Sequence, residues 1–173
     1  MEKTSLLLAG LMIIGLMTSC GTGKVSGETF STEQFSVLVP SGWMVIRATD
    51  PFEQGKIRED MVYINKGAKS EIDIFSTPGV SIIYVANRKA KNTLPPPKSF
   101  YDDVVDMKPF TLGKYNYEGY TAKFSNKPMT IFWTISDEEY FQFSVNTEID
   151  GKKIAFEDAD VQAIIESVQP IKK

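Results

Sequence analysis

The sequence predicts an α+β domain built around a central, mostly antiparallel sheet. Segments 129–135 and 140–147 are rich in aromatic and β-branched residues and are separated by four polar residues, which is typical of an antiparallel hairpin. Alternate residues of segment 35–39 are apolar, as expected of a strand with one buried face. An apolar stripe at helical spacing within 157–168 predicts a helix that packs against the sheet.

The predicted strands follow one another with short polar interruptions. Pro40 ends the first strand, and Ser41 with Gly42 forms the turn to the second. The segments 110–115 and 117–124 predict either a hairpin that turns at Asn116 or a bent pair of strands. In chain order, the predicted strands are 35–39, 43–46, 61–65, 72–75, 81–86, 110–115, 117–124, 129–135 and 140–147.

A first helix is predicted over about 99–105. Ser99 and Asp102 resemble a capping box, in which two side chains bond to the free backbone N–H groups of the first turn. Apolar residues follow at helical spacing, and the three prolines at 95–97 prevent the helix from extending backward.

The second predicted helix covers 157–168. Val161, Ile164, Ile165 and Val168 fall on one side of it, and the acidic residues of its first turn offset the positive end of the helix dipole. The two helices are expected to flank the sheet.

The composition excludes several classes of protein. The chain has 173 residues, one cysteine, no histidine and a formal net charge of −3, and this length fits one folded domain. Without histidine there is no Ser-His-Asp triad, and one cysteine cannot form a disulfide framework within the chain or a thiolate zinc cage. An acidic pI of about 5.1 without a basic cluster argues against nucleic acid as a partner. No metal or other cofactor is expected.

The amino-terminal segment has the features of an export signal. Lys3 precedes the apolar run 6–17, whose ~18 Å helical length is too short for a ~30 Å hydrocarbon core. The small residues Thr18 and Ser19 then precede Cys20. This arrangement resembles a bacterial lipobox, with Met17 where leucine is usual. The resemblance implies that Cys20 becomes the first mature residue and carries lipid, which anchors the protein to a membrane.

These features predict three regions: a lipoprotein signal peptide at 1–19, a flexible tether at 20–29 and a single domain at 30–173. The predicted location is the cell envelope. The residue directly after Cys20 is not acidic. In enteric lipoproteins an Asp at that place retains the protein in the inner membrane, so this resemblance favours the outer membrane if the organism has two membranes.

Two further stretches carry a family resemblance. The run Phe35-Ser-Val-Leu-Val-Pro-Ser-Gly-Trp43 and the closing Ile165-Glu-Ser-Val168 are similar to the PsbP-like superfamily, which includes DcrB-type bacterial lipoproteins. The resemblance implies an α/β/α sandwich with a central antiparallel sheet. It also implies accessory roles such as docking on larger assemblies, and it brings no catalytic motif.

Acidic clusters are the candidates for chemistry. Asp102, Asp103 and Asp106 are either a cation site or, as we expect from the lack of a calcium-loop pattern, a solvated face. The acids at 137–139 lie in a predicted hairpin turn, where such residues are usually solvated. A glycosidase-type pair would need two carboxylates about 5–10 Å apart across a cleft.

Tyrosines are the candidates for binding. Tyr115, Tyr117 and Tyr120 are expected either to form an exposed recognition edge or to pack across strands. Phe52, in the polar stretch 48–60, is a further candidate contact. The sequence therefore predicts a lipid-anchored, non-catalytic accessory protein that binds an envelope protein or a small ligand. The alternatives are a carboxylate-based envelope enzyme acting on glycans and a spacer without a ligand.

Overall fold

The computed structural model describes residues 25–91 and 93–171. The predicted signal peptide and Cys20 lie outside these residues. The described strands are β1 (Gly27–Ser31), β2 (Phe35–Pro40), β3 (Trp43–Thr49), β4 (Ile57–Lys66), β5 (Gly79–Ala86), β6 (Asp102–Asp106), β7 (Phe110–Leu112), β8 (Tyr115–Phe124), β9 (Lys127–Thr134), β10 (Glu139–Asn146), β11 (Glu148–Ile149), β12 (Lys152–Lys153) and β13 (Gln169–Pro170). An α-helix, α1 (Ala159–Ser167), and two short 3₁₀ helices, Glu71–Phe75 and Lys98–Phe100, complete the described elements.

An eight-stranded sheet forms the centre of the domain. Its strand order is β3-β4-β5-β10-β9-β8-β6, with β7 also paired to β8, and all its ladders are antiparallel. A second sheet has the order β1-β2-β13, and β11 pairs with β12 in a small ladder. The predicted α+β class with a mostly antiparallel sheet is confirmed.

The larger core lies between one face of the central sheet and a layer made of α1 and the small sheet. The helix buries Val161, Ile164 and Ile165 there, as the apolar stripe predicts. Ser167 joins the two parts of this layer, since its Oγ accepts a hydrogen bond from the Leu38 N–H (2.8 Å).

A segment without an α-helix covers the opposite face of the central sheet. Tyr120, Trp133 and Tyr140 form a smaller core there, and Tyr101 packs against Tyr120 with ring centroids 5.8 Å apart. The Tyr120 hydroxyl also donates a hydrogen bond to the Pro96 carbonyl (3.1 Å), which holds the proline segment on the sheet.

The helix predicted over 99–105 is wrong. A 3₁₀ helix ends at Phe100, and β6 then pairs with β8 at the edge of the sheet. The ladder shifts register between Asp102 and Val105, and Asp103 takes a positive φ of 50° at that point. An edge strand supplies partners for the backbone groups here, which overrides the weak local preference for a helix.

Two of the three acids of this segment form ion pairs. Asp103 pairs with Lys123 (2.7 Å), and Asp106 pairs with Lys98. In the described residues, no cluster of three or more His, Cys, Asp or Glu side chains is placed to hold a metal ion. Nor does that part of the chain contain a helix of the length and apolarity needed to span a membrane.

Three other features differ from the sequence prediction. Segment 72–75 lies in a 3₁₀ helix instead of a strand. The hairpin of β7 and β8 turns at Gly113 (φ 59°) and Lys114 instead of Asn116. The strand β1 starts at Gly27, inside the predicted tether, because residues 27–31 pair with β2 over their whole length. The remaining predicted strands and the second helix are confirmed, with α1 beginning two residues later than predicted.

Candidate binding groove

The three tyrosines proposed as an exposed recognition edge are buried, so that expectation is wrong and the cross-strand packing alternative describes them. Tyr117 and Tyr120 are 0% exposed and Tyr115 is 9% exposed. They alternate between the two faces of β8, with Tyr115 and Tyr117 in the larger core and Tyr120 in the smaller one. Strand β8 has neighbours at both edges, so its backbone groups are paired, and only side chains such as Asn116, Glu118 and Thr121 are exposed on it.

The surroundings of these tyrosines suppress ionisation. Burial and a hydrogen bond donated to Glu139 (2.6 Å) raise the pKa of the Tyr115 hydroxyl above its ordinary value. Burial raises the pKa of Tyr120 to about 12. The Tyr117 hydroxyl has no hydrogen-bond partner among the described residues, and burial, with the nearby charge of Glu166, raises its pKa. A tyrosine held neutral in a closed core is not available as an acid or base for a substrate.

Phe52 is the predicted contact that the structure leaves exposed, at 94%. Its loop follows β3 and is held by Asp50, whose carboxylate accepts hydrogen bonds from the backbone N–H groups of Phe52 (2.8 Å) and Glu53 (3.2 Å). Strands β3 and β8 are five strand spacings apart in the sheet, about 24 Å at 4.8 Å per spacing. Phe52 therefore does not share a surface with the tyrosines.

A surface groove of about 650 Å³ lies between β1 and β3, at a place where the sequence analysis predicts no site. Each of these strands is the outermost strand of its sheet in the described residues. The groove is lined by 27–30 of β1, by 39–43, and by Val45 of β3. Phe30, Val39 and Val45 are partly buried against the larger core, so the groove has an apolar floor.

Alternate residues of β1 direct their backbone groups outward, away from β2. The Ser41 N–H donates to the Ser26 carbonyl (2.9 Å), which places Ser26 at a position bonded toward β2. In an antiparallel ladder, successive residues direct their N–H and C=O groups to opposite sides. The groups of Gly27, Thr29 and Ser31 therefore face away from β2, and the first two of these residues line the groove.

The same argument applies to β3. The Gly67 N–H donates to the Gly42 carbonyl (3.0 Å), so Gly42 is bonded toward β4. Trp43 and Val45 consequently direct their backbone groups away from β4, and both residues line the groove. The two walls of the groove each carry a row of outward N–H and C=O groups.

Side-chain contacts lie near the two ends of the groove. At one end the hydroxyl oxygens of Ser26 and Ser41 are 3.1 Å apart. At the other end the Arg47 guanidinium of β3 lies over the Phe30 ring of β1, 5.4 Å from its centroid. Trp43 is fixed between them, because its Nε1 donates to Asp160 (3.0 Å) at the start of α1.

A second cavity, of about 460 Å³, lies where β4 and β5 separate. The described ladder between them runs from Met61 with Ile83 to Asn65 with Gly79, and the earlier part of β4 lies outside that ladder. Arg58 and Asp60 form a two-bond ion pair at this cavity (3.0 and 2.6 Å). Among the described residues, Asp60 is the one carboxylate that lines this cavity and Glu28 the one that lines the groove. Neither cavity therefore brings together, in that part of the chain, the two acids that glycoside hydrolysis requires.

The sequence signal for the groove is weak. Segment 27–31 has a single large apolar residue, Phe30, and lies between glycines and polar residues, so it resembles a linker. Its strand character depends on pairing with β2 and on the absence of a side chain at Gly27. A Cβ atom there would lie 2.3 Å from the Val39 carbonyl oxygen.

No protein-family model matches the chain, and no curated protein matches it. Several solved structures match at low identity. A Bacteroides thetaiotaomicron protein has 13% identity and a TM-score of 0.47. The match covers 85% of this chain and 49% of the Bacteroides chain, so this chain spans about half the length of that protein. The cyanobacterial PsbP (CyanoP) of Synechocystis sp. PCC 6803 has 12% identity, a TM-score of 0.46 and coverage of 91% and 100%. LpqN, involved in cell envelope biogenesis of Mycobacterium tuberculosis, has 12% identity, a TM-score of 0.46 and coverage of 87% and 93%.

Proposed function

We propose that the protein is a lipid-anchored, non-catalytic accessory protein of the cell envelope that binds an extended segment of a partner protein in the groove between β1 and β3. The anchor is Cys20, at the position that a lipobox requires and the single cysteine of the chain. The cysteine lies seven residues before Gly27, so the groove begins close to the anchored end of the chain.

The observation that carries the binding proposal is the pair of open strand edges that line one groove. An extended peptide can add to such an edge, where main-chain hydrogen bonds provide affinity and pockets for alternate side chains provide specificity. Sheet edges left open in this way invite pairing with another chain. The partly buried Phe30, Val39 and Val45 would accept an apolar side chain of the peptide.

The partner can be trapped with a photoreactive amino acid at Thr29, on the outward row of β1. Thr111, exposed on β7 in the central sheet, is the matched control position. We expect a protein crosslinked from Thr29 and not from Thr111. If both positions trap the same proteins, or if Thr29 traps a second copy of this chain, the proposed binding role of the groove is wrong.

The trapped partner is then purified and its affinity measured with two substitutions at the same position. Thr29→Pro removes an outward N–H donor from the open edge but leaves the bonds toward β2 in place, because proline is tolerated on edge strands. Thr29→Ala keeps the donor. We expect Thr29→Pro to weaken binding at least tenfold and Thr29→Ala to leave it unchanged, as measured by calorimetry. Equal affinities would exclude strand addition to β1.

The anchor has its own test. Labelled palmitate is expected to enter the wild-type protein in cells and to be absent from the Cys20→Ala variant. Incorporation that survives the substitution, or no incorporation at all, would exclude lipidation at this cysteine.

A further inference from the structure

Two large apolar side chains lie exposed beside each other on the 3₁₀ helix Glu71–Phe75. Ile72 and Phe75 are each 76% exposed. A 3₁₀ helix has three residues per turn, so residues three apart project from the same side. Single exposed apolar residues are common on protein surfaces, so this pair is a candidate contact surface only together with its position in the molecule.

The loop that presents this pair is held in place. The Asp73 carboxylate turns back into the loop and accepts hydrogen bonds from the Lys69 and Ser70 N–H groups (2.7 and 3.1 Å). The Thr77 hydroxyl donates to the Asp73 carbonyl (2.7 Å), and the buried Asn65 side chain of β4 donates to the Thr77 carbonyl (2.9 Å). The apolar pair therefore has a defined position relative to the central sheet.

This loop lies at the end of the domain from which the chain leads back to Cys20. Gly67, at the start of the loop, bonds to Gly42, and the neighbouring Ser41 bonds to Ser26. We call the surface formed by these four residues and the Glu71–Phe75 helix the tether end. Six residues of extended chain reach about 20 Å, so a lipid on Cys20 holds the tether end within about that distance of a bilayer.

We infer that the tether end docks on the phospholipid bilayer, with Ile72 and Phe75 inserted at the boundary between headgroups and acyl chains. The inference depends on the lipid anchor of the proposed function. Lys69 flanks the apolar pair and is exposed, so it can reach lipid phosphates, while Glu71 is the exposed acid of the helix. Lys66 is exposed too, but its ammonium is directed to Asp160 (3.9 Å) and the Trp43 ring. An anchor keeps the surface at a high effective concentration near the membrane, so two inserted side chains suffice to orient the domain.

The test supplies the tether chemically, so it does not depend on acylation in cells. The chain from Cys20 to Lys173 is coupled through its single thiol to a maleimide phospholipid in phosphatidylethanolamine–phosphatidylglycerol vesicles. Tryptophan is introduced by Phe75→Trp or Ile72→Trp, both at exposed positions, and by Phe52→Trp as the control at the far end of β3. Quenching by brominated acyl chains is measured relative to the parent protein with its two tryptophans.

We expect several-fold more quenching of the added fluorescence in Phe75→Trp and Ile72→Trp than in Phe52→Trp. Adding Ile72→Ser to Phe75→Trp is expected to reduce that quenching. Equal quenching at positions 75 and 52 overturns the inference. The palmitate experiment on Cys20 decides the anchor separately, so failure of the anchor and failure of bilayer docking are distinguishable.

Discussion

The hairpin of β7 and β8 and the groove between β1 and β3 differ in accessibility, and the difference is the opposite of what their compositions predict. The hairpin contains Phe110, Tyr115, Tyr117 and Tyr120, which is the composition expected of a recognition surface. These rings instead pack on one another and on the core, for example Phe110 on Tyr117 at 5.3 Å. The groove has fewer aromatic residues, yet two strand edges are open there.

The difference shows that sheet position decides accessibility more than residue type does. A strand in the middle of a sheet uses both rows of its backbone groups and both of its faces, whatever side chains it carries. An outermost strand retains one free row even when its side chains are small and polar. A change that acts on one region, with the other as the reference, tests this difference.

Alkaline pH is expected to have the largest effect, and it acts through the tyrosines. Burial raises the pKa of all seven tyrosines of the chain above the ordinary value of 10. A group whose folded-state pKa is raised contributes stability that is complete below its unfolded pKa and is lost as the pH rises through the folded value. We expect cooperative unfolding above pH 10. Circular dichroism and tyrosinate absorbance, measured on the same samples, monitor this transition.

The groove supplies the control for this titration. Thr29→Pro changes an edge without tyrosines and should leave the alkaline transition where it is. Tyrosinate absorbance that develops near pH 10 without loss of the dichroism signal would show that these hydroxyls are accessible to solvent.

Gly27→Ala is expected to have an intermediate effect, confined to the groove. The added Cβ would lie 2.3 Å from the Val39 carbonyl oxygen and 2.9 Å from the Pro40 Cα, both backbone atoms. Overpacking of this kind costs about 1–3 kcal/mol. We expect the start of β1 to separate from β2, seen as faster hydrogen exchange of the Ser41 N–H, which bonds to Ser26. Thr29→Ala is the matched control and should not change that exchange rate.

Tyr117→Phe is expected to have the smallest effect. It removes a buried hydroxyl that has no partner among the described residues, so the free energy of unfolding should stay the same or rise by up to about 1 kcal/mol. Urea denaturation measures it. Tyr115→Phe is the comparison, because that hydroxyl donates to Glu139 and its loss should destabilise the protein. Marked destabilisation by Tyr117→Phe would mean that this hydroxyl has a partner.

Prediction from sequence succeeded where a pattern is long and its periodicity clear. The hairpin of β9 and β10 and the stripe of α1 each extend over eight or nine residues and bury the side chains that their spacing selects. It failed over 72–75 and 99–105, where the apolar pattern is too short to establish a period. In such short segments, ladder partners and tertiary contacts decide between helix and strand.

The candidate groove shows the same limit more sharply. Neither Gly27 nor Thr29 has a side chain that suggests binding, and segment 27–31 pairs with β2 only because the chain folds back at 32–34. The groove exists because β1 and β3 end up outermost in their sheets, which no local pattern encodes.

The amino-acid sequence by itself determined the α+β class, the main strands, the apolar side of α1 and the place of the single cysteine, because these depend on spacing along the chain. The tertiary structure decided that the tyrosines are buried, that two strand edges line a groove, and that Ile72 and Phe75 lie at the tether end. These properties depend on which distant segments become neighbours, and burial and edge pairing arise only once the sheets are assembled.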